Sequence, residues 1–181
     1  ADRPQMDALL QYKVKGVAYE TLLERNHTLP LLAPMSQIAG RLSIQEGAKY
    51  LEKPFGGSGM LLSGVPGTPK AKVVILGAGM VGTNACKIAV GMGAEVSIVD
   101  INLERLAYLD DIFGARIQTL YSTDAVIEKE LASADLVVGS ILIPGKAAPK
   151  VGKAAYLKNM KPGSVIVDVA VDQGGVIETA D

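Results

Sequence analysis

The chain has 181 residues, 49% of them hydrophobic and 20% charged, with a formal net charge of −1. This length suffices for one large α/β domain that buries roughly 70% of its unfolded surface, and a charge near zero argues against a general binder of nucleic acid or anionic membranes. No apolar run reaches the roughly 20 residues of a membrane span, and the single cysteine, Cys86, excludes an intramolecular disulfide and fits a reducing cytoplasm.

The opening Ala1-Asp2-Arg3-Pro4 has no initiator Met and no signal sequence, and reads as a start inside a longer protein. Residues 4–13 have helical spacing in Met6, Leu9 and Leu10, with Pro4 suited to a first turn. Val17-Ala18-Tyr19-Glu20 is a short strand candidate. Residues 25–34 form a loop whose His27, the only histidine, reads as solvated. Residues 36–52 predict a long helix with Ile38, Leu42, Ile44, Ala48 and Leu51 apolar and Ser36 or Ser43 as a cap. Residues 55–69, rich in Gly, Ser and Pro, read as a linker. The expected division is a connecting segment over residues 1–54 and a nucleotide-binding domain over residues 55–181.

Beyond the linker the pattern sharpens. Val73-Val74-Ile75-Leu76 is a run suited to a strand buried on both faces. Gly77-Ala78-Gly79-Met80-Val81-Gly82 breaks it and opens a helix marked by Val81, Ala85, Ile88, Ala89 and Met92. Gly91 and Gly93 close that helix, which also carries Cys86 as a small packed residue. Glu95-Val96-Ser97-Ile98-Val99 is the next strand and ends on Asp100. Strand, G-x-G-x-x-G, helix, strand and acid together form a dinucleotide fingerprint. Gly77 permits the turn, Gly79 admits a pyrophosphate to the backbone, and Gly82 lets the helix approach the sheet. The helix N-terminus offers free N–H groups to the diphosphate, and Asp100 suits the adenosine ribose hydroxyls.

The alternation then continues. Residues 102–113 predict a helix capped by Asn102, residues 115–120 a strand, and residues 123–131 a helix. A strand over residues 136–141 is followed by a loop, a helix over residues 151–160 and a last strand over residues 164–171. The expected fold is α/β, a Rossmann-type doubly wound parallel sheet preceded by an N-terminal helical connecting segment. In such a sheet ligands lie outside the carboxyl ends of the strands, which selects residues 77–82, Asp100, Tyr121-Ser122, residues 141–144 and residues 169–172. Ile141-Leu142-Ile143 fits ordinary core at a strand end as well as an apolar wall for nicotinamide or adenosine. Asp172, read by itself, suits a turn before Gln173-Gly174-Gly175; Asp168 falls inside the strand pattern and reads as structural.

Leu29-Pro30-Leu31-Leu32-Ala33-Pro34-Met35-Ser36-Gln37-Ile38-Ala39-Gly40-Arg41 resembles the alanine dehydrogenase family, as do Gly64-Val65-Pro66-Gly67, Leu142-Ile143-Pro144-Gly145, Ala148-Pro149-Lys150 and Val167-Asp168-Val169-Ala170-Val171-Asp172-Gln173-Gly174-Gly175. The resemblance covers the whole chain. It implies a two-domain cytoplasmic enzyme that oxidises L-alanine to pyruvate and ammonia with NAD, as a homo-oligomer, a hexamer. It further implies that Ser36 contacts the cofactor from the connecting region, and that Gly77, Gly79, Met80 and Gly82 hold the pyrophosphate. Asp100 takes the ribose with Arg105 nearby, Ser122 lies near the adenine, Ile141 and Leu142 flank the cofactor, and Val169, Ala170, Val171 and Asp172 reach the nicotinamide. Asp172 becomes the catalytic acid of this domain, and no metal is implied. The family's catalytic histidine and substrate-carboxylate Arg and Lys belong to another domain, and His27 matches none of these motifs. The NAD(H)-binding component of proton-translocating transhydrogenase shares the fold and a similar Leu-Ile-Pro-Gly stretch, but lacks the Leu-Pro-Leu-Leu-Ala-Pro-Met-Ser run and tends to carry amides at the Asp172-Gln173 position. An isolated nucleotide-binding module without chemistry is the remaining alternative.

Overall fold

The computed structural model describes residues 3–25 and 28–180, and His27 lies outside them. The chain divides into two compact units, Ala1–Pro34 and Met35–Asp181. In the first, α1 (Arg3–Gln11) has no buried residue. The strand expected over residues 17–20 is instead a 3₁₀ turn, Tyr19–Thr21. The Thr21 hydroxyl donates back to the Ala18 carbonyl at 2.8 Å, which closes the backbone on itself.

In the second unit five parallel strands form one sheet in the order β3-β2-β1-β4-β5. They are β1 (Lys72–Leu76), β2 (Glu95–Asp100), β3 (Ile117–Tyr121), β4 (Leu136–Gly139) and β5 (Val165–Asp168). The order reverses between β1 and β4, the topological switch point of a doubly wound sheet. The side chains of a strand alternate between two covered faces. Val73 and Ile75 join Val96, Ile98, Leu136 and Val138 under α2 (Ala33–Tyr50), α3 (Met80–Gly91) and α4 (Leu103–Phe113). Val74, Leu76, Val99 and Val137 face the other way, under α5 (Asp124–Ser133) and α6 (Ala154–Leu157). Asn102 caps α4 as expected, its Oδ1 accepting from the Arg105 N–H at 3.1 Å, and Thr123 caps α5 in the same way.

Several boundaries differ from the sequence reading, each for a local reason. The long helix begins at Ala33, so Ser36 and Ser43 lie inside it rather than capping it, and the Ser43 hydroxyl donates to the Gly40 carbonyl at 2.8 Å. Its buried face is made of Ser36, Gly40, Ser43, Ile44 and Gly47, whereas Ile38 and Leu42 are 65% and 46% exposed. A Cβ on Gly40 would overlap the Val81 carbonyl oxygen, so small residues here let α2 reach the backbone of α3. Residues 55–69 are no linker: Leu62 is buried, its carbonyl accepts from the Ala71 N–H at 3.2 Å, and the Ser58 N–H donates to the Gly163 carbonyl at 2.8 Å. The helix expected over residues 151–160 shrinks to α6 because Gly152 forms a bridge with Ile177. The last strand stops at Asp168, whose carboxylate draws in three backbone N–H groups: Ala170 at 3.1 Å, Val176 at 2.7 Å and Ile177 at 2.9 Å.

Candidate functional site

The carboxyl ends of β3, β2, β1, β4 and β5 line up through the sheet register, with Asp100 opposite Tyr121, Leu76 opposite Gly139 and Gly139 opposite Asp168. The residues that follow each strand therefore share one edge: Ser122, then the Asp100 side chain, the glycine turn, Ile141 and Leu142, and finally residues 169–172. Two backbone bonds extend this order past the strands, Ser122 N–H to the Asp100 carbonyl at 3.0 Å and Val169 N–H to the Gly139 carbonyl at 2.8 Å. Every sequence-selected residue apart from Ser36 and Arg105 thus lies at this edge or in the turn at its centre. Ile141, Leu142 and Val169 are half-buried, Ala170 is buried, and Val171 and Asp172 are exposed after β5. Ser36 is buried on the face of α2 that carries Gly40, and Gln37 reaches the Met80 sulfur at 4.0 Å. That places Ser36 beside the first turn of α3.

The three glycines of the turn have different reasons to be glycine. Gly77 has φ 110°, in the left-handed region. A Cβ on Gly82 would overlap the Gly77 carbonyl oxygen and lie 2.9 Å from Ser140 Oγ. Gly79, the N-cap of α3, has φ −70° and ψ −162°, which any residue adopts, and a Cβ there would meet nothing within 4 Å. The fold therefore explains Gly77 and Gly82 but not Gly79. What glycine provides at Gly79 is backbone open to the crevice in front of the α3 N-terminus, the property that close approach of a phosphate requires.

The acid at the end of β2 has two tasks. Asp100 Oδ2 accepts from the Ala78 N–H at 2.6 Å and Oδ1 accepts from the Asn102 N–H at 2.8 Å. Each carboxylate oxygen keeps a second lone pair that could accept a further donor. Arg105 points into the turn, its Nε and Nη2 each donating to the Ala78 carbonyl at 3.2 Å. Ser140, not singled out from the sequence, stitches the switch point: its hydroxyl lies 2.9 Å from the Leu76 carbonyl and 3.1 Å from that of Gly77. Thr83 was missed as well, and its hydroxyl lies 3.3 Å from the Ala78 carbonyl. Hydrophobic periodicity carries no signal for such side chain to backbone bonds; only the position of Ser140 just after a strand hints at one. Cys86 is excluded as a nucleophile, because burial pushes its thiol up to about 12 and the Arg116 charge offsets only part of that. A hollow of about 560 Å³ beside β5, lined among others by Glu46, Tyr50, Phe55 and Asp168, lies away from the glycine turn, and its Asp168 carboxylate already accepts three N–H groups.

Comparison with known proteins agrees with this geometry. Residues 43–181 match the family described as alanine dehydrogenase/PNT, C-terminal domain. The alanine dehydrogenase of Methanococcus maripaludis is 60% identical over 182 aligned positions, covering 100% of this chain and 49% of the relative. A solved L-alanine dehydrogenase superposes with a TM-score of 0.90 at 54% identity, over 98% of this chain and 49% of that one. A transhydrogenase from Sinorhizobium meliloti superposes with a TM-score of 0.69 at 29% identity, over 83% of this chain and 43% of that one. The chain thus spans about half the length of the curated relatives it matches.

Proposed function

The chain belongs to the alanine dehydrogenase/PNT C-terminal domain family, and from that premise we propose that it is the NAD-binding half of an L-alanine dehydrogenase. The observation that carries this reading is Gly79, a glycine that neither packing nor backbone torsion requires, at the mouth of a helix N-terminus beside an acid. Identities of 60% and 54% to alanine dehydrogenases, against 29% to the transhydrogenase, favour it over a transhydrogenase component.

In this reading the backbone of Gly79, Met80 and Gly82 holds the pyrophosphate, and Asp100 holds the ribose through its remaining lone pairs. Ser122 lies toward the adenine, Ile141 and Leu142 wall the crevice, and Ser36 closes it from α2. The chemistry that bound NAD supplies is acceptance of a hydride from the amino-acid Cα. Asp172, exposed after β5, stands where the nicotinamide end belongs. There a carboxylate orients the water that attacks the imine derived from alanine and balances that imine's positive charge. Asp168 is left out of this role because its carboxylate already serves the fold as acceptor of three backbone N–H groups. The substrate-binding groups belong to the remainder of the protein, to which residues 1–54 connect the nucleotide-binding domain of residues 55–181.

The test is alanine-dependent NADH formation by the full-length protein. Asp172→Asn should keep NAD affinity within a few-fold and cut turnover by roughly 10²-fold, the scale of a lost acid–base group. Intact turnover in Asp172→Asn would remove the assignment. We further propose a cytoplasmic homo-oligomer, hexameric by family resemblance, that covers the exposed Ile38 and Leu42 of α2; a monomer in sedimentation of the full-length protein would contradict it.

A further inference from the structure

Asp172 lies in a short 3₁₀ turn, Val171–Gln173, that ends on two consecutive glycines in the left-handed region, Gly174 at φ 96° and Gly175 at φ 71°. Glycines permit such a turn but do little to hold it still. The groups that hold it come from outside. The Asp168 carboxylate grips both ends: Oδ1 accepts from the Ala170 N–H at 3.1 Å, and Oδ2 accepts from the Val176 and Ile177 N–H groups at 2.7 and 2.9 Å. From the opposite side Lys150 Nζ donates to the Ile177 carbonyl at 2.9 Å, and the Ala148 N–H donates to the Gln173 carbonyl at 3.0 Å. A Cβ on Gly175 would lie 3.0 Å from Asp168 Oδ2 and 3.3 Å from Lys150 Nζ, so an acid and a base flank that residue. We propose that Asp168 is a positioning residue for the reaction: it acts through residues 170–177, with Lys150 as its counterpart, to hold Asp172 at the crevice.

The two ends of the loop have different anchors. Its start is fixed by the sheet, through the Val169 N–H bond to the Gly139 carbonyl at 2.8 Å. Its end is fixed by burial, since Val176 and Ile177 are 0% and 1% exposed. Between them the Gly175 N–H returns to the Ala170 carbonyl at 2.8 Å, which closes residues 171–175 into a ring. Asp168 sets the distance between the two anchors, and its bonds are the stronger kind because the acceptor is charged. Asp172 projects from this ring and is exposed, so the place of its carboxylate follows the backbone beneath it. Misplacing a reacting group by about 1 Å can cost roughly 10²-fold in rate. Lys150 adds a second link, because Ala148 and Lys150 belong to the segment that continues from Ile141 and Leu142. The wall of the crevice and the loop of Asp172 are thereby tied to each other.

This inference rests on the assignment of Asp172 to the chemistry, and the test keeps the two apart. Alanine-dependent NADH formation by the full-length protein is measured for Asp168→Asn, Lys150→Met and Lys150→Arg, each alone and combined with Asp172→Asn, at a temperature where thermal unfolding shows every variant folded. Asp168→Asn and Lys150→Met should each lower kcat by about tenfold, the scale of one hydrogen bond to a charged group, with KM for NAD within a few-fold of wild type. In the Asp172→Asn background each should add less than about twofold, as groups that act through one another do. Lys150→Arg, which keeps a charged donor, should retain most of the turnover. Amide hydrogen exchange should be about tenfold faster at Gly174 and Gly175 in Lys150→Met. Should Asp168→Asn not fold, Lys150→Met decides by the same readings. Losses that add fully to that of Asp172→Asn would overturn the proposal and give Asp168 a chemical role of its own. Unchanged kcat, or a loss confined to KM, would overturn it as well. Wild-type turnover in Asp172→Asn refutes the assignment of Asp172 and the proposal with it, whereas turnover lost there but kept in Asp168→Asn and Lys150→Met refutes the positioning alone.

Discussion

Substituting Gly79 and Gly82 by alanine, one at a time, separates what the turn does for the fold from what it does for a ligand. At Gly79 the backbone is in the extended region and a methyl group would meet open space. Two small terms oppose each other there. Alanine lowers the entropy of the unfolded chain, stabilising by about 0.4–1 kcal/mol, and it is a poorer N-cap than glycine by an amount on the order of 0.5–1 kcal/mol. The net change in stability should fall within about 1 kcal/mol of zero. At Gly82 the methyl would overlap the Gly77 carbonyl oxygen and press on Ser140 Oγ at 2.9 Å, so α3 must move away from the switch point; overpacking of this kind costs about 1–3 kcal/mol, or more where backbone is the obstacle. Urea unfolding measures both, and calorimetric titration with NAD measures the ligand term. Gly79→Ala should unfold like wild type yet bind NAD at least about tenfold more weakly, because the methyl stands where the phosphate must approach. If Gly79→Ala lost as much stability as Gly82→Ala, or bound NAD undiminished, the assignment of Gly79 to the ligand would be refuted.

Asp168→Asn should lower stability by about 2–3 kcal/mol, since one acceptor of three backbone N–H groups becomes a donor, and thermal unfolding should drop by roughly 5–10 °C. Asp172→Asn, at an exposed position, should stay within about 0.5 kcal/mol of wild type; equal effects at the two sites would contradict the division of labour between them. Because burial holds the Cys86 thiol near 12, its thiolate is scarce below that pH. A disulfide reagent at pH 8 should therefore label the native chain only as fast as it opens, and label it within seconds to minutes in denaturant; rapid native labelling would show that Cys86 is not buried.

The parts of the fold that were legible in the sequence are those written in hydrophobic period and glycine spacing. Val73-Val74-Ile75-Leu76 has no alternation because both of its faces are covered, and β1 is where the run places it. The helix after Gly79 and the acid after Val99 follow the same logic, α3 starting at Met80 and β2 ending on Asp100. Less visible were features set by polar side chains acting on backbone. The residues Ser164 to Val171 read as one strand, and only the Asp168 carboxylate, folding residues 170–177 around itself, explains why β5 stops. Of the apolar positions of α2, Ile44 is buried while Ile38 and Leu42 are exposed, and the rest of the buried face is Ser36, Gly40, Ser43 and Gly47, whose small size lets neighbouring atoms come close. Residues 55–69 looked like a linker by composition, although Gly57 serves tight packing: a Cβ there would overlap the Tyr50 and Leu51 carbonyls. Nor does any motif announce that Arg105 faces Ala78, since the pairing joins a helix face to a loop 27 residues away.

The central claim, that this chain is built to hold NAD through its glycine turn and Asp100, is tested most directly by parallel calorimetric titrations of the chain with NAD and NADP. A 2′-phosphate about 4 Å from the Asp100 carboxylate would meet a repulsion of about 4 kcal/mol at an effective dielectric of 20, and half of that already amounts to about 30-fold in affinity. The account predicts saturable binding of one NAD per chain, NADP weaker by at least about 30-fold, and a narrowed gap in Asp100→Ala. Absence of NAD binding, or a preference unchanged by Asp100→Ala, would contradict it.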